Sequence, residues 1–264
     1  MQIEVIIIGI FAGLLAGMFG ISGGAIIVPS LILIFGWEMH FATGTSLATL
    51  LLPAGFLALW QYKKANLLFF KGAALIAAGI VFGNIGGSAF AINIDGALLK
   101  QLFGIFLITI GIKYSQLLHL LRYKKFLKTN DLQPENFSKL QSIKNYVFIL
   151  IGVGAGLLSG LFGIGGGIII TTVLINIYKV RVKHAIAISL AAVFLPVGIG
   201  GVLLYNEQNY VDIYAAIIIA VGIEIGSAIT ARIAIKLNAD LLRRLLGGVL
   251  ATIGVYFLLQ RYMY

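Results

Sequence analysis

The sequence predicts an all-α integral membrane protein made of two inverted repeats of about five hydrophobic helical segments each, with short broken or re-entrant half-helices among them. Three observations carry that prediction. The mean hydropathy is +1.05 over 264 residues, of which 60% are hydrophobic and only 11% charged, too few charges to cover a water-soluble domain of this size. A glycine-rich motif near the start recurs at mid-chain. The basic residues collect on one side once the hydrophobic segments are threaded across a bilayer.

In the first half the hydrophobic segments run roughly from 3 to 20, 25 to 36, 41 to 60, 69 to 92 and 97 to 120, and the second half repeats the plan. Four of the five are long enough to cross about 30 Å of hydrocarbon at about 1.5 Å per residue. The segment 25 to 36 and its counterpart near 168 to 178 are too short and read as half-helices. The N-terminal segment lacks a basic leader and is echoed at mid-chain, so it reads as a retained span rather than a cleaved signal.

The echo is long. Gly13-Leu14-Leu15-Ala16-Gly17-Met18-Phe19-Gly20-Ile21-Ser22-Gly23-Gly24 corresponds to Gly156-Leu157-Leu158-Ser159-Gly160-Leu161-Phe162-Gly163-Ile164-Gly165-Gly166-Gly167 at an offset of 143. Twelve of the sixteen positions from 12 to 27 are identical to their partners. Without a gap the same offset pairs Ser46-Leu47-Ala48 with Ser189-Leu190-Ala191, Pro53 with Pro196, Asn66 with Asn209, Gly83 with Gly226 and Gly104 with Gly247. The chain therefore divides into a first transmembrane repeat, 1–120, a polar, basic connecting loop, 121–145, and a second repeat, 146–264.

An odd number of segments per repeat would turn the second copy upside down relative to the first. Alternating the loops between two sides places 17 of the 19 Lys and Arg residues on one side, with Lys100 and Arg261 on the other. The rule that cytoplasmic loops are basic makes the crowded side cytoplasmic, with the central loop there and both termini outside. Segments one and two, and likewise six and seven, are free to cross fully or to form re-entrant hairpins, since both routes return the chain to the same side. The net charge of +10 is thereby explained by loops, not by a nucleic-acid surface.

Chemistry concentrates where the helices break. Gly20, Ser22, Gly23 and Gly24, and Gly163, Gly165, Gly166 and Gly167, each lie between a long helix and a half-helix. Such glycines release the chain from helical geometry, and the half-helix that follows offers unpaired N–H groups and a positive dipole end, so the two breaks together form a candidate anion site. Gly13-xxx-Gly17 and Gly156-xxx-Gly160 read instead as helix-packing faces. A second constellation is Thr43, Thr45, Ser46 and Thr49 with Pro53, echoed by Ser189 and Pro196. Hydroxyls donate to an oxyanion without carrying charge into the bilayer, though in membrane helices they also bond their own backbone. Thr45, Ser46 and Ser189 are the candidate substrate contacts. Glu224, the one carboxylate near the centre of a span, is a candidate proton carrier or the partner of a basic group near a helix end; its counterpart is Val81. Asn84 and Gln101 line a cavity or bond across helices.

Enzymatic readings find little support. Gly20-Ile21-Ser22-Gly23 has the form of an intramembrane serine protease motif, but His40, His119 and His184 all lie near span ends and the second copy has Gly165 in place of Ser22. There is no cysteine, no His-Glu-x-x-His and no Walker lysine. No catalytic residue, cofactor or metal is expected. The expected partners are a small anionic substrate and the lipid bilayer, with a homo-oligomer open and no nucleic acid.

The duplicated Gly-Leu-x-x-Gly-x-Phe-Gly-Ile-x-Gly-Gly element, the Ala-x-x-x-Ser-Leu stretch at 42 to 47 and 185 to 190, and the basic central loop resemble the TauE/SafE family of sulfite exporters, also called TSUP permeases. The resemblance covers essentially the whole chain. It implies a secondary permease that moves sulfur-containing anions such as sulfite or organosulfonates across the cytoplasmic membrane by alternating access. An anion channel, or a non-transporting assembly or sensor component of the membrane, is the alternative.

Overall fold

A computed structural model describes residues 2–19, 23–52, 56–115, 137–233 and 239–259. These residues form thirteen helices and, among them, no strand. In order they are α1 (Gln2–Phe19), α2 (Gly24–Phe35), α3 (Met39–Leu51), α4 (Phe56–Lys64), α5 (Phe70–Ala91), α6 (Gly96–Ser115), α7 (Phe137–Ser142), α8 (Asn145–Phe162), α9 (Gly167–Asn176), α10 (Val182–Phe194), α11 (Ile199–Glu207), α12 (Ile213–Ile233) and α13 (Ala239–Leu259). Three of the described helices are long and apolar enough to cross a membrane, or four if the bent pair α10 and α11 is one span.

The expected half-helices form as α2 and α9, twelve and ten residues long, or about 18 and 15 Å at the helical rise. The segment from 41 to 60 departs from expectation. It is two helices, α3 and α4, rather than one, and its counterpart bends by 48° between α10 and α11. The cause lies in the prolines. Leu52 precedes Pro53 and Leu195 precedes Pro196, and both leucines are extended, with ψ of 143° and 150°, because proline's ring excludes the α region from the residue before it.

By its contacts the chain divides into two compact units, residues 1–93 with 136–235, and residues 94–135 with 236–264. In the first unit the closest packing is α5 on α8 and α1 on α12. Both seams are built on glycine. A Cβ added to Gly79 would meet the Ile149 carbonyl and one on Gly152 the Ile76 carbonyl, while one on Gly9 would meet the Ile219 carbonyl and one on Gly222 that of Ile6. With no hydrophobic force between helices in lipid, such backbone approach is what makes van der Waals packing tight. The two seams correspond residue for residue at the offset of 143, Gly9 to Gly152 and Gly79 to Gly222.

In the second unit α6 packs on α13 by the same device, Gly104 against the Gly254 carbonyl and Gly111 against that of Gly247. Phe103 and Phe257 fill the seam with ring centroids 6.2 Å apart, and the Lys100 ammonium lies 5.1 Å from the Phe257 ring. The Asp95 carboxylate accepts from the Ala97 and Leu98 amides at 3.0 and 3.3 Å, capping the start of α6.

Large apolar side chains stand outward on many helices. Phe70 and Phe82 are each 74% exposed and Phe90 62%, a surface that water disfavours and a bilayer accepts.

Candidate functional site

The second glycine break is fully described. Gly163 caps α8 with φ +69°, its amide donating to the Ser159 carbonyl at 2.7 Å, and Gly165 and Gly166 follow with φ of +70° and +76°. For residues with a Cβ this left-handed region costs about 1–2 kcal/mol each, so glycine is what lets the chain leave α8 and restart as α9 within four residues. Of the first break, Gly20 and Ser22 lie outside the described residues. Gly23 caps α2 in a helical conformation, and its open side faces the Ala12 methyl.

The two breaks meet. A Cβ on Gly24, the first residue of α2, would collide with the Gly163 carbonyl oxygen and come within 2.7 Å of the Ile164 Cα. The start of one half-helix is thus pressed against the loop that opens the other. A third element joins them, since the Ser46 hydroxyl on α3 donates to the Gly163 carbonyl at 2.7 Å across 117 residues of sequence. A Cβ on Gly163 would stand 2.9 Å from the Thr43 carbonyl oxygen and 3.1 Å from the Val28 Cγ2, so α2, α3 and the α8–α9 turn converge on this one residue.

Ser189 on α10 donates to the Gly167 carbonyl at 3.2 Å, an oxygen that also accepts from Thr171 at 2.9 Å. Of the residues singled out from sequence, Gly24, Ser46, Gly163, Gly165, Gly166, Gly167 and Ser189 therefore gather at or beside the junction. Thr45 turns elsewhere. Its hydroxyl accepts from the Asp212 amide at 3.0 Å, tying α3 to the start of α12. Glu224 is partly buried in the middle of α12, and its carbonyl accepts from Ser227.

Thr43 stands out for a different reason. It is fully buried, and its Oγ1 is the one buried side-chain polar atom among the described residues without a hydrogen-bond partner. An orphaned buried hydroxyl costs about 1–3 kcal/mol, an expense that calls for a reason.

Behind the junction lies a polar cluster that sequence reasoning left undecided. Asn84 on α5, fully buried, accepts the Gly201 amide at 3.0 Å and reaches the Ser159 hydroxyl at 3.5 Å. The Gly160 carbonyl accepts from Tyr205 at 3.0 Å and from Ser88 at 3.4 Å. The cluster anchors the last turn of α8, from which Gly163 departs, to α5 and α11. A sequence signal was present: Asn84 and Ser88 share one helix face at the i, i+4 spacing. Their partners Gly201 and Tyr205 carry no such mark.

An all-helical chain with apolar outer surfaces, glycine-built helix seams and paired helix breaks around buried polar groups is a polytopic membrane protein of the transporter class. The chain belongs to the sulfite exporter TauE/SafE family, whose sequence profile matches residues 5–257. It is 34% identical to a probable membrane transporter protein of Methanocaldococcus jannaschii over 96% of this chain and 94% of that one. It is 27% identical to the probable membrane transporter protein YunE of Bacillus subtilis, with 94% of each chain covered, and 27% identical to YdhB of the same organism over 86% and 88%. No solved structure matches the chain.

Proposed function

We propose that this protein is a secondary permease, without enzymatic activity, that carries small, sulfur-containing oxyanions such as sulfite or organosulfonates across the cytoplasmic membrane by alternating access. The observation that carries the reading is the junction itself, where the start of α2 abuts the α8–α9 break with Ser46 bonded to Gly163. A small oxyanion enters hydrocarbon only if donors replace its water. Half-helix N-termini supply roughly half a positive charge each without a fixed ionic group. Gly20, Ser22, Gly23, Gly24, Thr45, Ser46, Gly163, Gly165, Gly166, Gly167 and Ser189 are the proposed substrate region, Thr45 through the placement of α3 and Ser46 and Ser189 through the break carbonyls they hold.

The repeats 1–120 and 146–264 are proposed to be inverted about the cytoplasmic loop 121–145. The reciprocal seams, α1 on α12 and α8 on α5, support this, being what a two-fold exchange of the halves produces. Ala65 and Gln208 differ by 143 and are both exposed. Because the chain has no cysteine, single cysteines there report directly: an impermeant thiol reagent added outside intact cells is expected to label Gln208→Cys and spare Ala65→Cys. Equal labelling of both would end the inverted plan.

Uptake of labelled sulfite into proteoliposomes tests the activity. Saturable uptake that unlabelled sulfite competes away is the expected result, and uptake linear in concentration would make the protein a channel. Absence of uptake for sulfite and for a panel of organosulfonates would remove the proposal. Acceleration by an imposed pH gradient that Glu224→Gln abolishes is expected if that carboxyl carries the coupled proton.

A further inference from the structure

We infer that Thr43 is a substrate-contacting residue of this junction, the one that donates a side-chain hydrogen bond to the bound oxyanion. The inference rests on the oxyanion reading above and names the contact that Ser46 and Ser189 do not provide. Both serine protons go to break carbonyls, Gly163 and Gly167, the Thr49 proton goes to the Thr45 carbonyl, and the Thr45 hydroxyl oxygen accepts the Asp212 amide, which holds that side chain at the start of α12. Thr43 is the exception, fully buried with its hydroxyl unpartnered.

Its position fits. Thr43 precedes Ser46 by three residues and shares its face of α3, the face on which Ser46 touches Gly163. The backbone of Thr43 itself lies against Gly163, its Cα 3.1 Å from where a Cβ would stand. The residue therefore stands beside the meeting point of α2 and the α8–α9 turn, where the half-helix amides begin. The equivalent residue in the second half is Ile186, buried and apolar. The first half alone contributes this donor, so the anion is held unsymmetrically although the backbone frame is duplicated.

The test compares Thr43→Val and Thr43→Ser in the full-length protein, reading half-saturation for labelled sulfite in proteoliposomes and melting temperature without anion. Thr43→Val is expected to raise the half-saturating concentration about tenfold or more, the loss typical of a hydrogen bond to a charged group. It is expected to melt no lower than the native protein, since no internal bond is removed. Thr43→Ser, which keeps the hydroxyl, is expected to stay within about twofold. Native half-saturation in Thr43→Val would overturn the inference and leave the permease reading intact. So would a melting temperature several degrees lower, which would assign the hydroxyl a partner within the fold, or equal damage from Thr43→Ser, which would assign the effect to shape. If the native protein takes up neither sulfite nor organosulfonates, the oxyanion reading falls and this contact falls with it.

Discussion

Helices α3 and α10 occupy equivalent places in the two halves and carry unequal chemistry. Both begin after an extended residue, Glu38 at ψ 152° and Arg181 at ψ 141°, and both end at an extended leucine before a proline. Their buried faces then diverge. Thr43, Thr45, Ser46 and Thr49 on α3 correspond to Ile186, Ile188, Ser189 and Ala192 on α10, all buried. Backbone devices, the extended caps of α3 and α10 and the close-packed glycines of the two seams, survive in both copies because they hold helices together in the same way wherever they stand. Hydroxyls have no such general use in lipid, where an unpaired one is a cost, so a copy keeps them only where they have something to bind. The same division separates Asn84 on α5, which bonds two other helices, from its counterpart Ser227 on α12, which bonds the Glu224 carbonyl one turn back in its own helix.

The backbone frame should be the most sensitive part. Gly163→Val places a branched side chain at φ +69° against the Thr43 carbonyl and Val28, combining left-handed strain with overpacking for a cost of about 3 kcal/mol or more. Loss of folded protein in detergent, seen by size-exclusion chromatography, is the expected outcome. Gly36→Ala is the control, having φ +67° with no atom near the added Cβ, and should cost only the strain, about 1–2 kcal/mol. Equal behaviour of the two variants would mean that the crowding at Gly163 is not what holds the junction.

How much of this was legible in the sequence follows the same line between backbone and side chain. The half-helices and the glycine breaks announce themselves through residues whose backbone behaviour is intrinsic, Gly163 and Gly166 for positive φ. Ser46 and Ser189 could be picked out because they sit at matched positions. That Ser46 serves Gly163 while Thr45 serves Asp212 depends on which elements approach α3 from either side, 117 and 167 residues away. Local pattern carries no such information. Nor could it mark Thr43 apart from Thr45, since the difference is the absence of a partner. The split of the segment from 41 to 60 was missed although Pro53 stands in it, because a proline inside a hydrophobic run can kink a helix as well as end it.

A smaller effect separates Asn84 from Ser227. Asn84→Leu removes the acceptor of the buried Gly201 amide and the contact to Ser159, which should destabilise the protein by about 1–3 kcal/mol and loosen α11 from α5. Ser227→Ala removes a bond within one helical turn that the backbone ladder already backs, and should change stability by less than about 0.5 kcal/mol. Chemical denaturation in detergent compares the two. A similar loss for both would mean that α12 relies on its hydroxyl as α5 relies on its amide, and the contrast between the halves would shrink to α3 and α10.

The narrowest contrast lies between the matched serines themselves. Ser46→Ala leaves the Gly163 carbonyl without the one side-chain donor seen on it, a 2.7 Å bond in a fully buried place, and should cost about 1–2 kcal/mol. Ser189→Ala withdraws a longer bond, 3.2 Å, from a carbonyl that Thr171 still serves at 2.9 Å. Its cost should stay below about 1 kcal/mol, and Thr171→Ala in that background should then cost more than it does alone, because the Gly167 oxygen would lose both of these hydroxyls. Melting temperatures of the two single variants and the pair measure this coupling. If Ser189→Ala proves as damaging as Ser46→Ala, Thr171 is not a substitute donor and the α8–α9 break depends equally on both serines. If it is milder, the second break holds its carbonyl with two hydroxyls where the first-half helix α3 holds its target with one, which explains how the repeats keep one frame while their polar side chains drift apart.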